Sequence, residues 1–257
     1  MNGELYQIAS IVAAGKKAMR SSCAIRYDPL QYENSIRFDF LPSNGALKGK
    51  KYVAPNVPAW FAQIKENGVQ DIKLLCPYSV KNRHLLGFSN TTESSILCFH
   101  KYGKVTFFTA DWQFDAARTQ WNILYSEHEW PDSPSQKPQF DDNTASFRRI
   151  LSEIKAFAAQ IECGSFADIF DTAIRLLDGS CNYPDKKYGL ALPQIPQRNL
   201  QIFEAASIAD VFGAMGSWND SPPCMAHQKG LDDAYEALSA ELFKNIRLAI
   251  LYAINEW

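Results

Sequence analysis

Four side chains toward the carboxyl end carry the groups best suited to recognition: Trp218, Asn219, Asp220 and His227. The first three close the run Phe212-Gly213-Ala214-Met215-Gly216-Ser217-Trp218-Asn219-Asp220, and Ser221-Pro222-Pro223 follows. Glycines permit sharp turns and free backbone N–H groups for a ligand, while an indole stacks and the amide and carboxylate form hydrogen bonds. A packing role accounts for the same residues. Gly213 ends the preceding helix in a left-handed conformation, Asn219, Asp220 or Ser221 turns the chain ahead of the prolines, and Trp218 plugs a helix pair. The run is not a phosphate loop, because no Gly-Lys-Ser/Thr follows it and no strand precedes it.

The other chemistry-bearing residues form no complete constellation. The histidines are His84, His100, His128 and His227, and no two are spaced for a zinc-binding helix. Cys98 and His100 share one face of a predicted strand, where a thiolate-imidazole pair is chemically feasible. Cys98 lies in an apolar run, so a buried structural thiol fits better. His128 stands in Glu127-His128-Glu129, which suits either acid/base chemistry or a polar strand end. No GxSxG elbow is present for a serine nucleophile. Asp178, Asp185, Asp220, Asp232 and Asp233 populate loops and helix starts, where capping explains them without a metal. No catalytic residue, metal or cofactor is therefore assigned.

Composition narrows the classes further. The 257 residues are 46% hydrophobic and 21% charged, as for a globular chain with a sizeable core. A formal charge of −2 gives no electrostatic footprint for nucleic acid. Lys48, Lys50 and Lys51 make only a short basic run, read as a solvated loop. Aromatic residues reach 13%, with six Trp and sixteen Phe, enough to line a groove or an interface. Neither a signal peptide nor a membrane-length apolar run is visible. The six cysteines are scattered without a CxxC pair and are read as reduced, mostly buried thiols of a cytoplasmic protein.

The elements that must position these residues fall into two stretches. Residues 1–130 predict a sheet-containing half. Its elements are a helix over Leu5–Met19 ending in Lys16, Lys17 and Arg20, strands over Ser35–Phe40 and Lys50–Ala54, and a helix over Val57–Asn67. A strand over Asp71–Cys76, a hairpin of Ser95–His100 with Lys104–Thr109, and a strand over Trp121–His128 follow. Residues 41–45 read as a turn and 78–93 as polar and irregular. The last three strands suggest an antiparallel meander. The proline-bearing stretch 131–142 reads as a linker. From 143 to 257 the period becomes helical. One helix, capped by Asn143 or Thr144, runs to about Ile161, and a second is capped by Ser165 and stopped by Gly179. Residues 182–197, with three prolines, cannot stay regular, and helices over Asn199–Val211 and Leu231–Ile254 follow. The expected fold is α+β: a mainly antiparallel sheet with flanking helices, then a bundle of about four helices, either as two halves or as one integrated domain. The last helix has the clearest stripe: Leu231, Tyr235, Leu238, Leu242, Ile246, Ala249, Ala253 and Trp257. Leu248, Ile250, Leu251 and Ile254 widen it, which implies deep burial in its own bundle or sharing with a second copy; monomer and homo-oligomer both stay open.

The segment Ile208–Asp220, followed by the amphipathic helix, resembles an uncharacterised bacterial family ending in an FG-x-MGSWND segment. That resemblance covers about the last quarter of the chain and implies no assigned activity. By analogy with small immunity and antitoxin proteins, it points to a partner protein. The expectation is a non-catalytic protein-binding module with Trp218, Asn219, Asp220 and His227 as binding candidates. A hydrolase with a pocket between the halves near Trp218–Asp220, or an oligomerisation protein, are the rivals.

Overall fold

The computed structural model describes residues 1–42, 52–81, 83–130, 136–181 and 192–257. The predicted turn at 43–45, the basic run at 48–51, Asp185 and the side chain of His84 lie outside the described residues. The chain is α+β.

Helix α1 (Gly3–Ser21) starts where the Asn2 side chain accepts from Glu4 N at 2.8 Å, and it ends at left-handed Ser22. It buries Leu5, Ile8, Ile11 and Val12. Strands β1 (Glu33–Asp39), β2 (Val53–Ala54), β3 (Val69–Leu75), β4 (Ser95–His100), β5 (Val105–Asp115) and β6 (Gln120–Glu129) form one sheet in the order β2-β1-β6-β5-β4-β3. Helix α2 (Val57–Glu66) follows β2, with Asn56 as its cap and Pro58 in its first turn.

Strands β4 to β6 make the expected antiparallel meander, and β3 extends it by pairing antiparallel with β4. The first strand was not expected to join it as it does: β1 lies parallel to β6, so the sheet is mixed. Side chains explain that placement. Asn34 and Ser35 both donate to Asn122 Oδ1, at 2.8 and 2.7 Å. On the helix-covered face Phe38 stacks between Trp60 of α2 and Tyr125 of β6, with ring centroids 4.9 and 4.8 Å away. Below the stack the Tyr125 hydroxyl donates to Gln7 Oε1, and Gln7 Nε2 and the Tyr27 hydroxyl both donate to Glu33 Oε1. Burial raises the Glu33 carboxyl above its usual range, and these donors oppose the shift.

Five helices follow the sheet among the described residues: α3 (Thr144–Gln160), α4 (Gly164–Leu177), α5 (Gln197–Ala209), α6 (Ser221–Gln228) and α7 (Asp232–Asn255). Helix α6 was not anticipated; its prolines occupy the first turn, where a missing N–H costs nothing. Two caps also differ. The Asn143 amide reaches α7, donating to Asn245 O, while Asp142 accepts from Thr144 N. Helix α4 begins at Gly164, so Ser165 lies inside its first turn. Among the described residues no helix is long and apolar enough to cross a membrane. All six cysteines are free; Cys76 and Cys98 are buried, Cys163 and Cys181 half-buried, and Cys23 and Cys224 exposed, fewer inside than expected.

One buried cluster draws residues from both stretches of the chain. Helix α7 joins them, burying Ile250, Leu251 and Ile254 within its own chain. Its last turn abuts the edge strand β3. The Asn255 amide accepts from Leu74 N at 2.8 Å and donates to Leu74 O at 2.9 Å, as a paired strand would. Lys16, expected with Lys17 and Arg20 at the end of α1, is buried and donates to Asn255 O at 2.9 Å. It serves the C-terminus of α7, not of its own helix. Burial lowers its pKa to about 8.

Asn255→Ala should leave both Leu74 groups buried and unpaired, costing about 2–5 kcal/mol in urea denaturation. Asn255→Asp retains an acceptor for Leu74 N, but only its protonated form can donate to Leu74 O. Its folded pKa should therefore rise above the unfolded value of about 3.9. Its stability should be greatest below that value and fall as pH rises through the folded pKa, a trend to be read from melts between about pH 3 and 7.

Candidate functional site

The glycine-tryptophan corner is a knot of short-range bonds closed over a buried indole. Trp218 is 0% exposed. Its Nε1 donates to Ser239 Oγ of α7 at 2.8 Å, its ring stacks on Tyr235, and Phe166 and Phe170 of α4 meet it edge-on. The Tyr235 hydroxyl donates to Trp218 O at 2.7 Å. Asn219 is buried, with Nδ2 donating to Gly213 O, and Ser217 Oγ donates to the same carbonyl. Asp220 is exposed and accepts from Gly216 N at 2.8 Å, closing its own turn. The left-handed glycine here is Gly216, with φ +76°, whereas α5 ends earlier, at Ala209. His227 is exposed on α6, its Nδ1 lying 2.9 Å from Asp232 Oδ1. The four candidates thus do not share a surface: two face the interior, and each of the four makes at least one side-chain hydrogen bond within the chain.

The other candidates also resolve into local contacts. Cys98 is fully buried, and burial drives its thiol well above its usual pKa, so thiolate chemistry is disfavoured. His100 meets Thr106 Oγ1 and Asn67 O at 3.0 and 3.2 Å. His128 stacks on Phe107 and meets Thr109 Oγ1. Asp178 pairs with Arg148. Among the described residues no group of three or more His, Cys, Asp or Glu side chains is placed to hold a metal.

The most distinctive surface lies elsewhere, at the far end of β5 and β6. Strand β4 pairs with β5 only as far as Ser95 opposite Thr109, while β5 runs on to Asp115. Past that point one side chain replaces the missing strand: Asn90 Oδ1 accepts from Trp112 N at 2.8 Å, and its Nδ2 donates to Trp112 O at 3.2 Å. Asn90 adopts φ +61° and Glu93 φ +49°, left-handed conformations that are uncommon outside glycine. The bend is tied to α1 by Glu4, whose carboxylate accepts from Asn90 N at 2.6 Å and Thr92 Oγ1 at 3.1 Å. Glu4 is only 8% exposed, and burial raises its pKa. The preceding 3-10 turn, Arg83–Gly87, lies so close to the glycine-tryptophan corner that a Cβ on Gly87 would come 2.4 Å from Ala214 N.

Two adjoining clefts of about 340 and 290 Å³ share Glu4 and Trp112 as lining residues. The smaller is walled by Tyr32, Phe88, Trp112 and Trp121. Trp121 sits opposite Phe114 in the β5–β6 register, their rings 5.1 Å apart, and meets Trp112 edge-on at 5.9 Å. Tyr32 lies 6.1 Å from Trp112 and donates through its hydroxyl to Gly3 O. Phe88, which lines the cleft, is 59% exposed, and Phe114, which packs on Trp121, is 55% exposed. Neither cleft is lined by residues 218–220 or by His227.

Comparisons of the chain with protein-family models, curated proteins and solved structures find no match.

The aromatic shelf was missed because the hairpin strand was expected to stop at Thr109. The signal was present: Phe108, Ala110, Trp112 and Phe114 continue the two-residue alternation.

Trp218→Ala should cost about 3–5 kcal/mol of unfolding free energy, as for a buried indole. His227→Ala, which removes an exposed contact, should change stability by less than about 0.5 kcal/mol. Urea denaturation of the two variants separates core from surface.

Proposed function

We propose that the chain is a non-catalytic protein-binding module that takes its partner on the aromatic shelf of Phe88, Tyr32, Trp112, Trp121 and Phe114. One observation carries this reading: Phe88, more than half exposed, lines a cleft walled by two tryptophans and a tyrosine, and Phe114, equally exposed, packs on one of those tryptophans, Trp121. Exposed aromatic patches of this kind mark interaction sites, and buried aromatic anchors dominate the energetics of protein interfaces. The shelf replaces Trp218 and Asn219 as the binding surface, since their groups serve packing. On this reading the helices beyond residue 143 are a scaffold and the cytoplasm is the site of action. The resemblance of residues 208–220 to the FG-x-MGSWND family adds the immunity-type partner as the class to test first.

The test is affinity capture from the native host, neighbouring gene products included. Phe88→Ala/Phe114→Ala should lose the captured partner while its melting temperature stays within about 2 °C of wild type, because truncating exposed side chains changes stability little. Met215→Ala and His227→Ala should retain it. The reading fails if nothing specific is captured, or if the loss follows Met215 and His227 instead. Light scattering on wild type and the double variant reveals whether the partner is a second copy.

A further inference from the structure

We infer that the cleft behind Phe88 is a cation cage that receives a lysine or arginine side chain of the partner. The inference rests on the protein-binding reading and specifies the chemistry of that same site. Its walls are Tyr32, Trp112 and Trp121, with Phe88 beside them, and Glu4 lines both this cleft and the adjoining one, where its carboxylate meets Asn90 and Thr92. Ring faces present negative electrostatic potential, and a desolvated cation over several of them is held strongly. The edge-on contact of Trp112 with Trp121 and the tilt of Tyr32 against Trp112 set these rings at angles to one another, not in one flat stack.

Charge complementarity points the same way. Glu4 is nearly buried, and the donors to its oxygens, Asn90 N and Thr92 Oγ1, are neutral. A buried carboxylate without a cation is unfavourable, and its raised pKa reflects that cost. A cation entering the cleft comes beside Glu4, which lines it, and brings a counter-charge toward that carboxylate. The volume of about 290 Å³ has room for an ammonium or guanidinium head. An open mouth beside an exposed phenylalanine suits a side chain still attached to a protein.

The probes are three capped pentapeptides, glycine throughout except for a central lysine, arginine or norleucine, together with free choline. Binding is followed through the indole N–H signals of Trp112 and Trp121 at constant ionic strength. A basic peptide should shift both signals saturably and bind at least about tenfold more tightly than the norleucine peptide, the discrimination expected of a desolvated cation–π site. Glu4→Gln should weaken the basic peptide about tenfold, and Trp121→Phe, which keeps a ring in place, should weaken it less than Trp121→Ala. If any variant fails to fold, the wild-type comparison of lysine or arginine with norleucine still decides. Equal affinity for norleucine, or no saturable shift from either basic peptide, overturns the cage. Choline binding without peptide binding overturns the protein side chain as its occupant. If the peptides fail while Phe88→Ala/Phe114→Ala still loses a captured partner, the cage falls and the protein-binding reading stands.

Discussion

The last turn of α7 ends inside the protein, and every carbonyl there needs a donor. An α-helix leaves its final carbonyls unpaired, and water satisfies them when the end is exposed. Here side chains do so, two of them from distant parts of the chain. Asn199 Nδ2 donates to Ala253 O and Glu256 O, Trp257 Nε1 to Ile254 O, and Lys16 Nζ to Asn255 O. The Asn255 side chain meanwhile completes the edge strand at Leu74. Helices α1, α5 and α7 and strand β3 are thereby fixed to one another at one point. Unpaired buried backbone groups are costly, so each bond restrains the position of a whole element.

The same constraint recurs at the other end of the sheet with a different consequence. Asn90 satisfies Trp112 as Asn255 satisfies Leu74: one amide side chain in place of a strand. A full neighbouring strand would have carried its own side chains across β5. A single asparagine in a left-handed bend ties off the backbone without extending the sheet past Ser95. What remains uncovered is the pair of strand ends carrying Trp112, Phe114 and Trp121. The left-handed bend at Asn90 is held by the buried Glu4 carboxylate, and Glu4 lines both clefts beside it.

Much of the fold was legible because it rests on periodicity. The stripe of α7, the change from two-residue to helical period after residue 143, and the β4–β6 meander all follow from patterns of burial that sequence displays directly. Long-range polar pairing has no such local signature. The parallel placement of β1 depends on Asn34 and Ser35 meeting Asn122, and the inward turn of Lys16 depends on a carbonyl 239 residues away. Helix α6 was hidden because Pro222-Pro223 signals a break in most contexts and a start only when a helix follows. The candidate site was less legible still. Its aromatic residues come from four separated stretches, and Phe88 falls in a segment whose polarity suggested nothing but a loop.

The corner at 212–220 shows why conspicuous residues mislead about function. Glycine, tryptophan, asparagine and aspartate are the residues a binding loop would use, yet each is also what a tight, buried connection requires. Gly216 supplies the positive φ, Asn219 and Ser217 pair with a carbonyl that no regular element reaches, and Trp218 fills the space between α4 and α7. Once those partners are satisfied inside the chain, little recognition capacity is left to offer a ligand. The residues around Phe88 satisfy the opposite condition. Their backbone is paired, but their rings are not fully covered, and the carboxylate beneath them has neutral donors only. Binding capacity resides in interactions the fold leaves incomplete, and in this protein the clearest of these lie at the end of β5 and β6.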